Sequence, residues 1–266
     1  MPAVQLVRLK KQAADLIWNF TRPVELIADL RGLFEFYADW NYRPGLALPP
    51  TTTLPSYHTS PQVLRELELA FYPPSQENPS AALELSDLLW QEPYLEPRKL
   101  SAIVLGQVPL TPPDQVLNRL RLRCQTDVPR LLLNALVEQG GLRLQRENPA
   151  LWLELVSTWL TSTDAHLLAV GIKALLPLVR DPAYENLPPV FTLFIPLLEA
   201  PTALIQVELI EMLHALAHRT PAETTFILRQ TLTLTANPNC LRIVRKAFPG
   251  FPAEMQASLR ELVKGR

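Results

Sequence analysis

An all-α fold, built from helical hairpins stacked side by side, is what this sequence predicts. Three observations carry that expectation. Proline is abundant, 27 of 266 residues beside only 8 glycines, about twice its usual share. These prolines fall between strongly periodic apolar segments, where proline opens a helix in its first turn or stops one shortly after its end. Between them Leu, Ala, Glu and Arg dominate, all good helix formers, and no stretch alternates apolar and polar residues as a half-buried strand does.

Taken in order, the periodic segments predict helices over residues 3–20, 23–40, 61–72, 79–90, 95–106, 112–123 and 127–139. A second series follows at 149–161, 164–179, 187–199, 203–218, 222–235, 240–248 and 252–264. The one long break is YRPGLALPPTTTLPSYHTSP (Tyr42 to Pro61), whose Pro and Thr content favours an extended loop. Within the second series and just before it, DVPRLLLNALVEQ, AHLLAVGIKALLPLV, LIQVELIEMLHALAH and CLRIVRKAFPGF each follow a shorter helix. Aligned on Leu131, Ala169, Val207 and Ile243, they recur at steps of 38, 38 and 36 residues. Paired helices of HEAT and armadillo type repeat at roughly 40–47 residues, so the expected architecture is a right-handed α-solenoid of HEAT-like hairpins with a concave groove. It is expected as one domain, 1–266: an N-terminal helical pair (1–41), the Pro/Thr-rich loop (42–61) and the repeats (62–266). A four-helix bundle with additions is the alternative, and the steady period argues against it.

Composition narrows the function. The chain is 48% hydrophobic and 19% charged, which describes a well-buried protein rather than a disordered one. A net charge of −1 gives no global pull toward nucleic acid or membrane, so a polyanion would need a local patch. Residues 51–100 are net −4, residues 101–150 net +2, and the tail from Cys240 net +4. The two cysteines, Cys124 and Cys240, lack CxxC spacing and read as reduced. Neither a signal peptide nor the roughly 18-residue apolar run of a membrane span is present. The expectation is a cytoplasmic protein with no membrane association. Without GxGxxG, GxxxxGK[ST] or GxSxG, neither nucleotide binding nor a serine-hydrolase site is expected.

Several motifs, in order, carry a family resemblance. DLLWQEPYLEPRKLSAIVLGQVP (Asp87 to Pro109) resembles the signature of the AlkD-type DNA alkylation repair glycosylases, in which a Leu-Trp pair ends one helix and an acidic turn leads into an Ala-rich helix. LWLELVSTWLTSTDAHLLAVGIKAL (Leu151 to Leu175) is similar to that family's later hairpin. NCLRIVRKAF resembles its closing basic helix, with Arg242 and Lys246 at the Arg and Lys positions. The likeness covers roughly residues 60–250. It implies HEAT-like repeats wrapping duplex DNA in a concave face, and in active members excision of cationic N3- and N7-alkylpurines without metal or organic cofactor.

Carried over by position, the resemblance places Asp127 at the catalytic carboxylate. That group would stabilise an oxocarbenium-like sugar and position a water. Four residues earlier, where the family has Trp, stands Arg123, whose charge would repel a cationic base instead of stacking on it. The family's Arg on the later hairpin falls on Ala169, and the Arg before the penultimate loop becomes His214. The machinery reads as dismantled, so catalysis is not the leading expectation. Thr126-Asp127-Val128-Pro129 also fits a plain helix start, with capping and Pro in the first turn.

The leading expectation is therefore DNA binding by phosphate contacts from Arg123, Arg130, His214, Arg242, Arg245 and Lys246 in a concave groove. The first alternative is a scaffold holding a protein ligand in that groove; the second is an alkylpurine glycosylase relying on Asp127. His214 and His218, one turn apart after Glu211, could hold a metal only with a third ligand that the sequence does not place nearby, so no metal and no cofactor are expected. Trp18, Trp40, Trp90, Trp152 and Trp159 read as core fillers.

Overall fold

In the computed structural model, described for residues 5–42, 54–125, 128–234 and 237–264, proline opens helix after helix. The chain divides into two compact units, residues 1–147 and 148–266. The first holds α1 (Leu6–Leu16), α2 (Pro23–Phe36), α3 (Pro61–Glu77), α4 (Pro79–Gln91), α5 (Leu95–Gln107), α6 (Asp114–Arg123), α7 (Arg130–Ala135) and α8 (Leu142–Glu147). The second holds α9 (Pro149–Leu160), α10 (Ala165–Arg180), α11 (Pro188–Glu199), α12 (Gln206–Arg219), α13 (Pro221–Leu234), α14 (Pro238–Ala247) and α15 (Ala253–Lys264). No strand occurs among the described residues. Pro23, Pro61, Pro79, Pro149, Pro188, Pro221 and Pro238 each occupy the first helical position, where the missing N–H costs nothing and φ is already helical. Side chains cap the free amides just behind three of them: Ser60, Asn148 and Asn237 accept from the backbone of Gln62, Leu151 and Asn239.

Packing within each unit follows chain order. In the first, α1, α3, α5 and α7 lie side by side in sequence, with α2 and α4 packed together and α4 against α5. In the second, α10, α12 and α14 form a row; α9 packs against α10 and α11, and α13 against α12 and α15. A helix with one apolar stripe can bury it only against such neighbours. Ile172, Leu209 and Val244 are fully buried at successive positions of that row, spaced 37 and 35 residues. The alignment through Ala169, Val207 and Ile243 is displaced from these positions by three, two and one residues, and Val207 is 64% exposed.

Two departures have local causes. Helix α3 continues through Pro73 and Pro74 to Glu77, beyond its expected end at 72. Its far end is bonded to α5 and α8: Gln107 donates to the Glu68 carbonyl at 2.7 Å, Ser75 donates to Gln107 at 3.2 Å, and Arg143 donates to Gln76 and to the Gln107 carbonyl. These bonds hold a turn that proline would otherwise end. Helix α7 passes into a π-helical stretch, Leu136–Gly140, which lies against Gly106 of α5. A Cβ built at Gly106 would stand 1.9 Å from the Gln139 carbonyl oxygen, so the two backbones touch and no side chain fits between them.

The end of the Pro/Thr-rich loop is tied down. Tyr57 is 3% exposed and stacks on Tyr94 at 4.0 Å and Phe34 at 5.7 Å. Glu96 accepts the Ser56 hydroxyl at 2.6 Å and the Tyr57 amide at 3.0 Å. Burial pushes the Tyr57 phenol up to about 12. Residues 43–53 of this loop lie outside the described residues. Contrary to the expectation from the sequence, Trp18 and Trp40 do not fill the core; they are 82% and 66% exposed, whereas Trp152 and Trp159 are buried and meet edge to face. Trp18 sits on the 3-10 turn Ile17–Asn19 after α1.

Gly106 and Gly32 make a paired test. Gly106→Ala should lower unfolding free energy by about 3 kcal/mol or more, since overpacking here meets backbone rather than a mobile side chain. Gly32→Ala, with nothing within 4 Å of its Cβ inside α2, should raise stability by about 0.5–1 kcal/mol. Urea titrations of both variants measure the difference.

Candidate functional site

The expected phosphate-binding residues fall into two groups, one in each unit. In the first unit, α6 ends at Arg123, and this side chain turns inward. It is 5% exposed. One guanidinium nitrogen donates to Ser86 and Ser101 hydroxyls at 2.9 and 3.0 Å, and another to Asp87 at 2.6 Å. The group also lies 5.2 Å from the ring centre of Trp90. Ser86 and Ser101 lock α4 to α5 by donating to each other's carbonyls at 2.9 and 2.6 Å. Arg119 grips the same Asp87 carboxylate through its Nε and Nη2, the latter at 2.6 Å. The result is a clasp joining α4, α5 and α6, with the Trp90 face covered by the protein's own cation.

Burial lowers the Arg123 pKa to about 10, against the opposing pull of Asp87. The group therefore remains charged at neutral pH. Because the folded value lies below the unfolded one, the charge costs stability throughout the range below about 10, a cost relieved only as pH climbs above it. Asp127 and Thr126, just beyond the clasp, lie outside the described residues. Arg130 is exposed at the first position of α7 and already has a partner in the fold.

In the second unit, Arg242, Arg245 and Lys246 are exposed within little more than one turn of α14, while Cys240, Ile243, Val244 and Ala247 are buried on its other side. No carboxylate belongs to this helix. Arg245 donates to the Val263 carbonyl of α15 at 3.4 Å; Arg242 and Lys246 have no partner among the described residues. His214, on the neighbouring α12, is half-buried with its ring against Gly250, where an added Cβ would lie 2.6 Å from the imidazole. Its Nε2 is buried with no partner among the described residues. Glu211 is paired with Arg180 at 2.8 Å, and no group of three potential metal ligands converges among the described residues.

Two concavities were not legible in the sequence. An open hollow of about 490 Å³ between α3, α5 and α7 is lined by Arg65, Glu68, Lys99 and Glu138 over Leu64 and Ile103. A groove of about 770 Å³ runs between α9 and α11, past Leu153, Glu154, Tyr184, Pro188 and Leu193. The first collects residues as far apart as 65 and 138, which no local motif signals.

No protein-family model matches the chain, and no curated protein matches it. Among solved structures, the X-ray structure of YibA from E. coli is similar over 79% of this chain and 89% of that one, at 15% identity and a TM-score of 0.34; likeness at that level carries no argument about function. Among the described residues no helix is long and apolar enough to cross a membrane.

The clasp predicts an asymmetry. Asp87→Ala should cost about 2–3 kcal/mol of stability; a fully buried pair would lose more, but the Asp87 side chain is 40% exposed. Arg123→Met, which removes the buried charge and leaves Ser86 and Ser101 paired with each other, should stay within about 1 kcal/mol of the parent. Equal losses in guanidinium titrations would show that the buried guanidinium itself is a net stabiliser.

Proposed function

We propose that this chain is a HEAT-like α-solenoid protein, related to the AlkD-type DNA alkylation repair family, that binds DNA phosphates without cleaving a glycosidic bond. The single observation that carries the DNA reading is the cationic turn of α14. Three exposed positive side chains, two of them unpaired among the described residues, project from a helix with no carboxylate. Such a turn contacts backbone rather than base edges, so binding would be insensitive to sequence and steeply salt-dependent. Cations in a last turn also suit the helix dipole, which is why the reading needs a direct test. The side-by-side rows α1–α3–α5–α7 and α10–α12–α14 support the solenoid.

The non-catalytic half of the reading rests on Arg123. The Trp90 face, the buried environment and the Asp87 carboxylate would suit a cationic guest, and the Arg123 guanidinium occupies them. A glycosylase relying on Asp127 would carry that fixed charge four residues earlier in the chain, where the resembled family has an aromatic ring. Purified protein should release no methylated purine from alkylated duplex above the spontaneous rate, and release that disappears in Asp127→Ala would restore the enzyme.

Fluorescence anisotropy with a labelled duplex across a range of salt tests the binding. The slope of log affinity against log salt should fall in magnitude by about 2–3 when Arg242, Arg245 and Lys246 are all replaced by Ala, one unit per lost phosphate contact. Absence of binding at low salt, or an unchanged slope in the triple variant, would sink the proposal.

A further inference from the structure

The hollow between α3, α5 and α7 contains an arrangement that the DNA reading leaves unused. Its rim carries two cations, Arg65 and Lys99, and two carboxylates, Glu68 and Glu138. None of the four has an ion-pair partner among the described residues, although opposite charges share one concavity and Arg65 and Glu68 are three apart on α3. Other charges of the same unit do pair within the protein: Arg31 with Glu92, Arg119 and Arg123 with Asp87, Arg143 with Glu147. Between them Leu64, Ile103 and Leu131 supply apolar surface beside the amides of Asn134 and Gln139, with Ile103 4% exposed.

We infer that this hollow binds a short segment of a partner protein carrying both a basic and an acidic residue. Charge decides against a phosphate backbone, because Glu68 and Glu138 would repel it as strongly as Arg65 and Lys99 attract it. The open shape decides against a small zwitterion. Arg65 and Glu138 are exposed, so a ligand of a few atoms would leave most of its surface in water, whereas tight small-molecule sites enclose theirs. An extended segment gains by length. Adjacent packed helices lie about 8–10 Å apart, so a path from α3 across α5 to α7 covers about 20 Å. At about 3.3 Å per residue that is six or seven residues. Alternate side chains of such a segment would reach that apolar surface, and the charged ones would meet the four rim groups.

A displayed library of random octapeptides, selected on the immobilised full chain, tests this. The control is the double variant Lys99→Glu/Glu138→Lys, which exchanges two rim charges without changing their sum. Enriched peptides should carry a basic and an acidic residue within six or seven positions. A fluorescein-labelled representative should bind the double variant about tenfold more weakly, and exchanging the peptide's own two charges should restore binding. An unchanged melting curve excludes unfolding of the variant, and Arg65→Gln, a milder change at the same rim, should weaken binding in the same direction. Arg242→Ala/Lys246→Ala should leave peptide affinity unchanged, so the outcome is separate from that of the DNA titration. No enrichment, enriched peptides with one charge sign only, or equal affinity for parent and double variant would overturn the inference.

Discussion

The structure depends on one constraint: none of these helices can bury its apolar stripe alone, so each must be covered by its neighbours in the chain. Prolines at first helical positions keep the connections between many of the helices short and abrupt, which leaves the next helix little choice but to fold back along the last. Where two helices come closest, side chains have to vanish. Gly106 admits the Gln139 carbonyl, and Gly171 admits Leu160, whose side chain would stand 2.5 Å from an added Cβ. Trp152 shows the complementary solution. It is fully buried and donates its indole N–H to the Ala174 carbonyl at 2.9 Å, joining α9 to α10 through a large apolar body with one satisfied polar atom.

Apolar stripes alone would let such helices slide, and the first unit uses buried and half-buried polar groups to set their positions. Glu96 receives the incoming strap at Ser56 and Tyr57. Glu92 takes Arg31 in a two-point pair, with contacts at 2.8 and 2.6 Å. Gln107 bonds α5 to both ends of the α3 turn, and Asp87 collects two arginines of α6. Each group is satisfied in one relative position of the helices and orphaned in others. An unpaired buried charge or amide is costly enough to outweigh a small shift in apolar packing.

Helix positions were legible in the sequence because proline placement and apolar period are local signals. Among the described residues the expected segments lie within a few residues of the helices found, and the six-residue α8, too short to show a period, is the one helix the sequence did not predict. The repeat spacing was seen but misregistered, since an apolar residue such as Val207 looks like core whether or not a neighbour covers it. The same ambiguity misplaced Trp18 and Trp40, whose large rings look like core in a sequence whether or not a neighbour covers them. Arg123 failed differently. Its chemistry as a phosphate ligand was plausible, but its destination was set by Asp87, thirty-six residues earlier, and by a pair of serines on two other helices. The mixed-charge hollow was invisible for that reason also, being assembled from three helices whose summed local charge looked merely acidic.

That redistribution of charge changes which readings remain open. Residues 101–150 carry an excess of arginine, the natural place to look for a phosphate-binding face. Within the fold, Arg119 and Arg123 share the single carboxylate of Asp87, which offsets one unit of that excess and turns both side chains toward the protein, and Arg143 pairs with Glu147 of the same segment. The acidic excess of residues 51–100 shrinks by the same pairings, which leaves Glu68 among the unpaired carboxylates facing the hollow. Unpaired positive charge stands on α14 at Arg242 and Lys246, while unpaired charge of both signs lines the hollow between α3, α5 and α7. A polyanion is attracted by the first surface and offered no net attraction by the second; a segment of mixed charge has the reverse preference. The two surfaces thus ask for different ligands, and neither excludes the other on a chain whose net charge is close to zero.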